Sequence, residues 1–194
     1  AEAGCSLVGT GVAHDAFFGR HLPGSTVDWL VRHAGLPLLV VRNRVHGGYA
    51  RVLVASDLSA GSARALDVAH TLFPGAVAGV FTTFDVPYLG LRDGGGEQGI
   101  LDAREATLQA ARRFTDAAGH AGLPVACAHG DAAQQLAEHA HAIEADLVVV
   151  ACEGRGPLFH LLIGSRTREI LDASPCDTLL VPEPAATRPS GRTG

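Results

Sequence analysis

The sequence contains no methionine, not even at position 1, and we therefore expect a fragment or processed product of a longer chain. No apolar run approaches the roughly 20 residues that a membrane span requires, so no spanning helix is expected. The opening AEAGCSLVGT lacks the basic and apolar regions of a secretory signal, which makes a cytoplasmic location the expectation. A basic excess is missing as well. Lys and Arg number 15 against 20 Asp and Glu, and a net charge of −5 gives no electrostatic reason to bind nucleic acid or an anionic membrane. Cys5, Cys127, Cys152 and Cys176 have no CxxC spacing and lie in or beside apolar runs. They read as small buried hydrophobes, not as a disulfide framework or a zinc site. Long charged tracts are absent, and with 47% hydrophobic and 18% charged residues the composition is that of a folded protein. A chain of 194 residues can bury a sizeable core without covalent staples.

What the sequence does have is a repeat. Residues 6–42 align without gaps on 146–182, at an offset of 140. Leu7, Val8, Leu22, Gly24, Ser25, Leu39 and Val41 match Leu147, Val148, Leu162, Gly164, Ser165, Leu179 and Val181. Both copies read apolar run, glycine-containing loop, Gly-Ser, helical pattern, apolar run. Residues 1–43 are thus the last third of a unit whose full copy is 50–183, with 44–49 as linker and 184–194, which has no periodicity, as a disordered tail.

Within the full copy, RVLVASD (51–57) is a nearly continuous apolar run, as expected of a parallel strand covered on both faces. A helix follows, with Ser59 and Ser62 as N-cap candidates and Leu66, Ala69 and Phe73 on one face, until Pro74-Gly75 stops it. Residues 76–83 form a second strand and 84–99, with three consecutive glycines, a mobile loop. A helix of about 20 residues with Thr107, Ala110, Ala111, Phe114 and Ala118 on one face precedes a third strand at 124–128. Gly130-Asp131 opens a helix with Leu136, Ala140 and Ile143 inward. A fourth strand (146–151), a fourth helix (165–173) and a fifth strand (178–181) complete the copy. Strands alternating with helices in this way specify a doubly wound, Rossmann-like α/β fold with a parallel sheet.

Ligands of such sheets bind beyond the carboxyl ends of the strands, where the strand order reverses. Two segments arrive there with suitable chemistry. Ala55-Ser56-Asp57 brings a carboxylate that can accept from a ribose hydroxyl. The loop from Ala151 through Gly154, followed by Gly164-Ser165 at a helix start, brings small residues, a hydroxyl and free amides that favour an anion. A nucleotide spanning the two segments is the natural inference.

These segments resemble the universal stress protein family, which carries G-x2-G-x9-G-(S/T) after its fourth strand and an Asp at the end of its first. The resemblance covers 50–183 through RVLVASDLSAGSARAL, HGDAAQQLAEHAHAIEADLVVV and GRGPLFHLLIGSRTREILDASPCDTLLVP, and 1–43 look like the end of a preceding domain. It implies a tandem member, a five-stranded sheet of order 3-2-1-4-5 and pairing of fifth strands, as a homodimer or within the chain. It also implies ATP, with or without magnesium, as ligand. Asp57 would meet the ribose, Thr82 the adenine, and Gly154, Gly164, Ser165, Arg166 and Thr167 the phosphates, with Ala55, Ser56, Val150 and Ala151 beside them. The first motif glycine is Ala151 here, and Glu153 adds a carboxylate to the phosphate loop that Arg155 or Arg166 would have to neutralise. In the partial copy, His14 replaces the second glycine, and no nucleotide is expected there.

Other readings of the same residues stay open. Glycine loops also merely turn the chain, and Asp57 can cap the helix that follows it. His139 and His141, two apart on a helix, face different ways, so most of the ten histidines read as solvated surface and not as metal ligands. Cys152 is either a thiol activated by a helix dipole or an inert small residue. Trp29, with Val27, Leu30 and Val31, suits packing or an interface. No catalytic constellation follows from spacing, so we expect a regulatory nucleotide-binding protein of the stress response and not an enzyme. The alternative is a module without nucleotide that acts through dimerisation or partner binding. An ATP hydrolase and a flavin-domain relative rank below both.

Overall fold

The computed structural model describes residues 5–11, 27, 29–30, 33–42, 47–86, 96–152 and 165–182. Its strands are β1 (Val8–Gly11), β2 (Leu38–Val41), β3 (Val52–Ala55), β4 (Val77–Phe84), β5 (Val125–His129), β6 (Leu147–Cys152) and β7 (Asp177–Pro182). Its helices are α1 (Ala60–Leu72), α2 (Gly96–Ala117), α3 (Ala132–Ala142) and α4 (Ser165–Ala173). All strands join one seven-stranded sheet of order β1-β2-β7-β6-β3-β4-β5. The five strands of the full copy share this sheet with the two of the partial copy, which add to its β7 edge. Neighbours pair in parallel throughout except at β2 and β7, which run antiparallel.

The apolar runs explain the layering. Successive side chains of a strand point to opposite faces, so a strand without polar positions must be covered twice. Val52, Val54, Val149 and Leu179 pack with Ala65, Leu66 and Ala69 of α1 and with Phe114 of α2. Leu53, Phe81, Val148 and Leu180 face the other way, toward Leu136 and Ala140 of α3 and Ile170 and Leu171 of α4. Val27 of the partial copy belongs to this second layer, whereas Trp29 is exposed and stacks on His33.

Local chemistry sets the ends. Ser59 caps α1, its hydroxyl accepting from the Ser62 amide at 3.2 Å. Ser62, the other cap candidate, lies inside the helix and is buried, so it caps nothing. Asp131 caps α3 through the Gln134 amide at 2.9 Å. Of the expected loop 84–99, Phe84 ends β4 and 96–99 open α2, whose small and charged residues extend its helical period further than the glycines suggest; residues 87–95 lie outside the described ones, as does the tail from 184. Gly79 is required by a close approach: a Cβ there would sit 2.7 Å from the carbonyl oxygen of Pro124, which accepts from the Val80 amide.

A buried carboxylate ties the two copies together. Asp177, 5% exposed, accepts from the Arg42 amide at 2.8 Å and from the Tyr49 hydroxyl at 2.7 Å. The Arg42 guanidinium reaches the carbonyl of Leu171. Burial, aided by the bond to Asp177, pushes the Tyr49 phenol well above its ordinary range. At the same end of the sheet, beside this cluster, Asp146 accepts from the amides of Ala50 and Arg51, fixing where β3 begins.

These contacts set the cost of three substitutions. Gly79→Ala should cost about 1–3 kcal/mol, since backbone and not a flexible side chain must yield. Asp177→Ala should cost roughly 3 kcal/mol by stranding buried donors, and Tyr49→Phe about 1 kcal/mol. Urea unfolding followed by circular dichroism measures all three, and an Asp177→Ala loss no larger than that of Tyr49→Phe would refute the clamp.

Candidate functional site

Parallel pairing brings the carboxyl ends of β3, β4, β5 and β6 to one rim of the sheet. Between β3 and β6, paired through Ala55 and Val150, the chain order reverses, and a cavity of about 730 Å³ opens there. Its floor is Ala55, Phe81, Thr82, Val150 and Ala151, and α2 adds a small-residue wall of Ala106, Thr107 and Ala110. Leu136 and Ile170 close it from the opposite layer, and Thr167 comes from the first turn of α4.

The loop after β3 forms the polar end. The Ser56 amide continues the pairing by donating to Phe81 O at 2.9 Å, and the Ser56 hydroxyl accepts from the Leu58 amide. Leu58 is held at φ 63°, a left-handed conformation that an L-residue adopts at a cost on the order of 1 kcal/mol. That turn aims Asp57. Its Oδ1 accepts from the Ser62 hydroxyl at 2.7 Å and from the Ser59 amide at 3.0 Å. Partial burial by itself would raise the Asp57 carboxyl, but the hydrogen bonds from Ser59 and Ser62 outweigh it and hold the pKa below its ordinary value. Asp57 is thus a persistent anion on an exposed rim.

Of the residues expected from sequence, Ala55, Ser56, Asp57, Thr82, Val150, Ala151 and Thr167 line this one cavity. Ser165 opens α4 and Arg166 follows it, their side chains lying outside the described residues together with Gly154 and Gly164. Sequence reasoning missed Ala106, Thr107 and Ala110, although Thr107 and Ala110 were correctly placed on the inward face of α2. It also missed Phe81, Leu136 and Ile170, whose apolar character gave no sign that they line a void. Thr82 is 5% exposed and Thr167 is also buried, and neither hydroxyl bonds to another described residue. Both are available to a polar ligand. Cys152 is buried, and desolvation pushes its thiol up to about 12, which removes the activated-thiol reading. The described residues contain no cluster of three His, Cys, Asp or Glu that could hold a metal, and no described helix is long and apolar enough to cross a membrane.

The family model for the universal stress proteins matches residues 48–182. The chain belongs to the universal stress protein family. No curated protein sequence matches it. Among solved structures, a functionally unknown protein from Pseudomonas aeruginosa PAO1 superposes with a TM-score of 0.68 at 18% identity, over 92% of this chain and 63% of that one. A universal stress protein from Archaeoglobus fulgidus gives 0.64 at 19% identity, over 90% of this chain and 61% of that one. The chain thus spans less than two thirds of the length of either structure. At these identities the likeness shows a shared fold, here the Rossmann-like α/β sheet of the universal stress proteins.

Because folding lowers the Asp57 pKa, its contribution to stability is complete above the unfolded value of about 3.9 and is lost as pH falls through the folded one. Asp57→Asn should therefore flatten the acid side of the stability profile. The unfolding free energies of wild type and variant, separated near pH 6, should converge toward about pH 3. Parallel profiles across that range would contradict the assigned bonds.

Proposed function

We propose that this universal stress protein is a regulatory protein of the stress response that binds an adenine nucleotide, ATP in the first instance, and assigns it no catalytic step. The observation that carries the reading is one cavity joining an aimed carboxylate to an apolar floor at the point where the strand order reverses. The Asp57 carboxylate would accept from a ribose hydroxyl. Phe81, Ala106 and Ala110 offer flat apolar contact to a base, with the Thr82 hydroxyl as a polar handle. The start of α4, with Thr167 in its first turn, would face the phosphates, where amides and the helix dipole favour an anion. The residues present fit such a ligand, and magnesium, if used, would ride on the phosphates.

The partial copy supports a second element of the proposal. The antiparallel seam of β2 and β7 lies where two equivalent units would pair as an intrachain pseudo-dimer, the arrangement of a tandem member. A reading without nucleotide, in which the chain acts by association alone, draws on the same seam.

Titration calorimetry with ATP and magnesium separates the two. Binding is expected, and nucleotide at 100 times its dissociation constant should raise stability by about 2.7 kcal/mol. Asp57→Ala should weaken binding about tenfold or more, equivalent to about 1.4 kcal/mol. Ser165→Asp should abolish it by placing charge where phosphate must sit. No heat and no shift in melting temperature at millimolar ATP would leave the association reading.

A further inference from the structure

Strand β5 ends the sheet on the side away from the partial copy, and its outer edge is unguarded. On its inner side the Val80 amide donates to Pro124 O at 2.9 Å and the Gly130 amide donates to Phe84 O at 3.2 Å. Backbone groups alternate along a strand, so Pro124, Ala126, Ala128 and Gly130 bond to β4 while Val125, Cys127 and His129 turn N–H and C=O outward. Among the described residues nothing pairs with them there. Soluble proteins guard such edges with charge, proline or a bulge. The strand VACAH has no Lys, Arg, Asp or Glu and its register is unbroken. Pro124 takes an inward position, where it guards nothing.

Helix α2 extends this edge with a flank of its own. Ala106 and Ala110 wall the cavity, and Ala111 and Thr115 are buried against the sheet. The helical period therefore puts Glu97, Leu101, Leu108 and Arg112 on the opposite flank, beyond the open side of β5. Leu101 is 52% exposed and, with Trp29, one of two exposed large hydrophobic residues among those described. Leu108 is half-buried, and Glu97 and Arg112 are exposed. The Cys127 thiol donates to the Arg104 carbonyl at 3.7 Å, which sets the middle of β5 level with Arg104. Leu101 and Leu108 stand three and four residues either side of that level, Glu97 and Arg112 seven and eight.

We propose that this edge and flank are the seat of a second copy of the chain, related to the first by a two-fold axis through Cys127. The two β5 strands would run antiparallel, Cys127 opposite Cys127 and Val125 opposite His129, each pair exchanging both backbone bonds. This register satisfies every outward group of the strand. As the crossover between two parallel strands, α2 runs against β5, so the same axis lays the two copies of α2 antiparallel, side by side. It sets Leu101 against Leu108 of the second copy, Arg104 against its Glu105 and Glu97 against its Arg112. Apolar meets apolar and each charge meets its opposite, under one reversal about one point. An isologous contact requires such a self-matching surface, and a foreign strand would have no use for it. The contact is at the other end of the sheet from the seam of β2 and β7, and it stands whether or not a nucleotide binds.

Sedimentation velocity at concentrations up to about 1 mM tests the assignment. The chain should form a dimer, and in it the amides of Val125, Cys127 and His129 should exchange at least tenfold more slowly than in dilute solution. Leu101→Glu should raise the dissociation constant at least tenfold and leave the melting temperature of the dilute protein unchanged. Glu97→Arg and Arg112→Glu should each weaken the dimer about threefold, and the double variant should restore it, because the reversed charges again face each other. Should Leu101→Glu fold poorly, the charge swap decides by itself. A monomer at every concentration would overturn the proposal, and so would single reversals that the double variant fails to rescue. A dimer that protects amides of another strand instead of β5 would put the contact elsewhere and overturn it as well.

Discussion

Strands β6 and β7 have no polar face, and this one constraint organises the rest of the molecule. Leu147, Val148, Val149, Leu179 and Leu180 all need to leave water, in both directions at once, so helices must cover the sheet on both sides. Covering both faces requires crossover connections between parallel strands, and parallel strands place every strand-to-helix turn on the same rim. The cavity follows from that requirement. Where the helices following β3 and β6 leave for different faces, no described side chain fills the gap above Ala55 and Val150.

The rim is polar because the turns are made there, and its order comes from short-range bonds. Asp57, Ser59 and Ser62 hold one another, so the carboxylate stays charged and aimed at the expense of a left-handed Leu58. Strain in a turn that lines a cavity is where a binding function would spend stability. Helix α2 contributes only small residues to its wall. A long helix with alanines at its inward positions leaves volume where leucines would have closed it.

The seam shows a different economy. Two apolar edge strands, β2 and β7, meet in antiparallel pairing and remove each other's exposed edges. Asp177 is buried beside them because Arg42 and Tyr49 supply it with donors from the partial copy and the linker.

The sequence alone showed the repeat and the alternation of strand and helix, because periodicity and glycine or proline breaks act over a few residues, whereas its resemblance to the family singled out Asp57, Thr82, Val150, Ala151 and Thr167, which line the cavity. Its strand limits differ from the structure by one or two residues: 51–57 became Val52–Ala55, since the polar end of that run turns away to form the loop. Tertiary structure alone decided that the sheet has seven strands, that β2 runs antiparallel to β7, and that Ser62 serves Asp57 and not the end of a helix. It also decided which apolar residues line a void. Phe81, Leu136 and Ile170 look like core in any local window, and only the divergence of two helix layers, set by contacts far apart in the chain, leaves open space beside them.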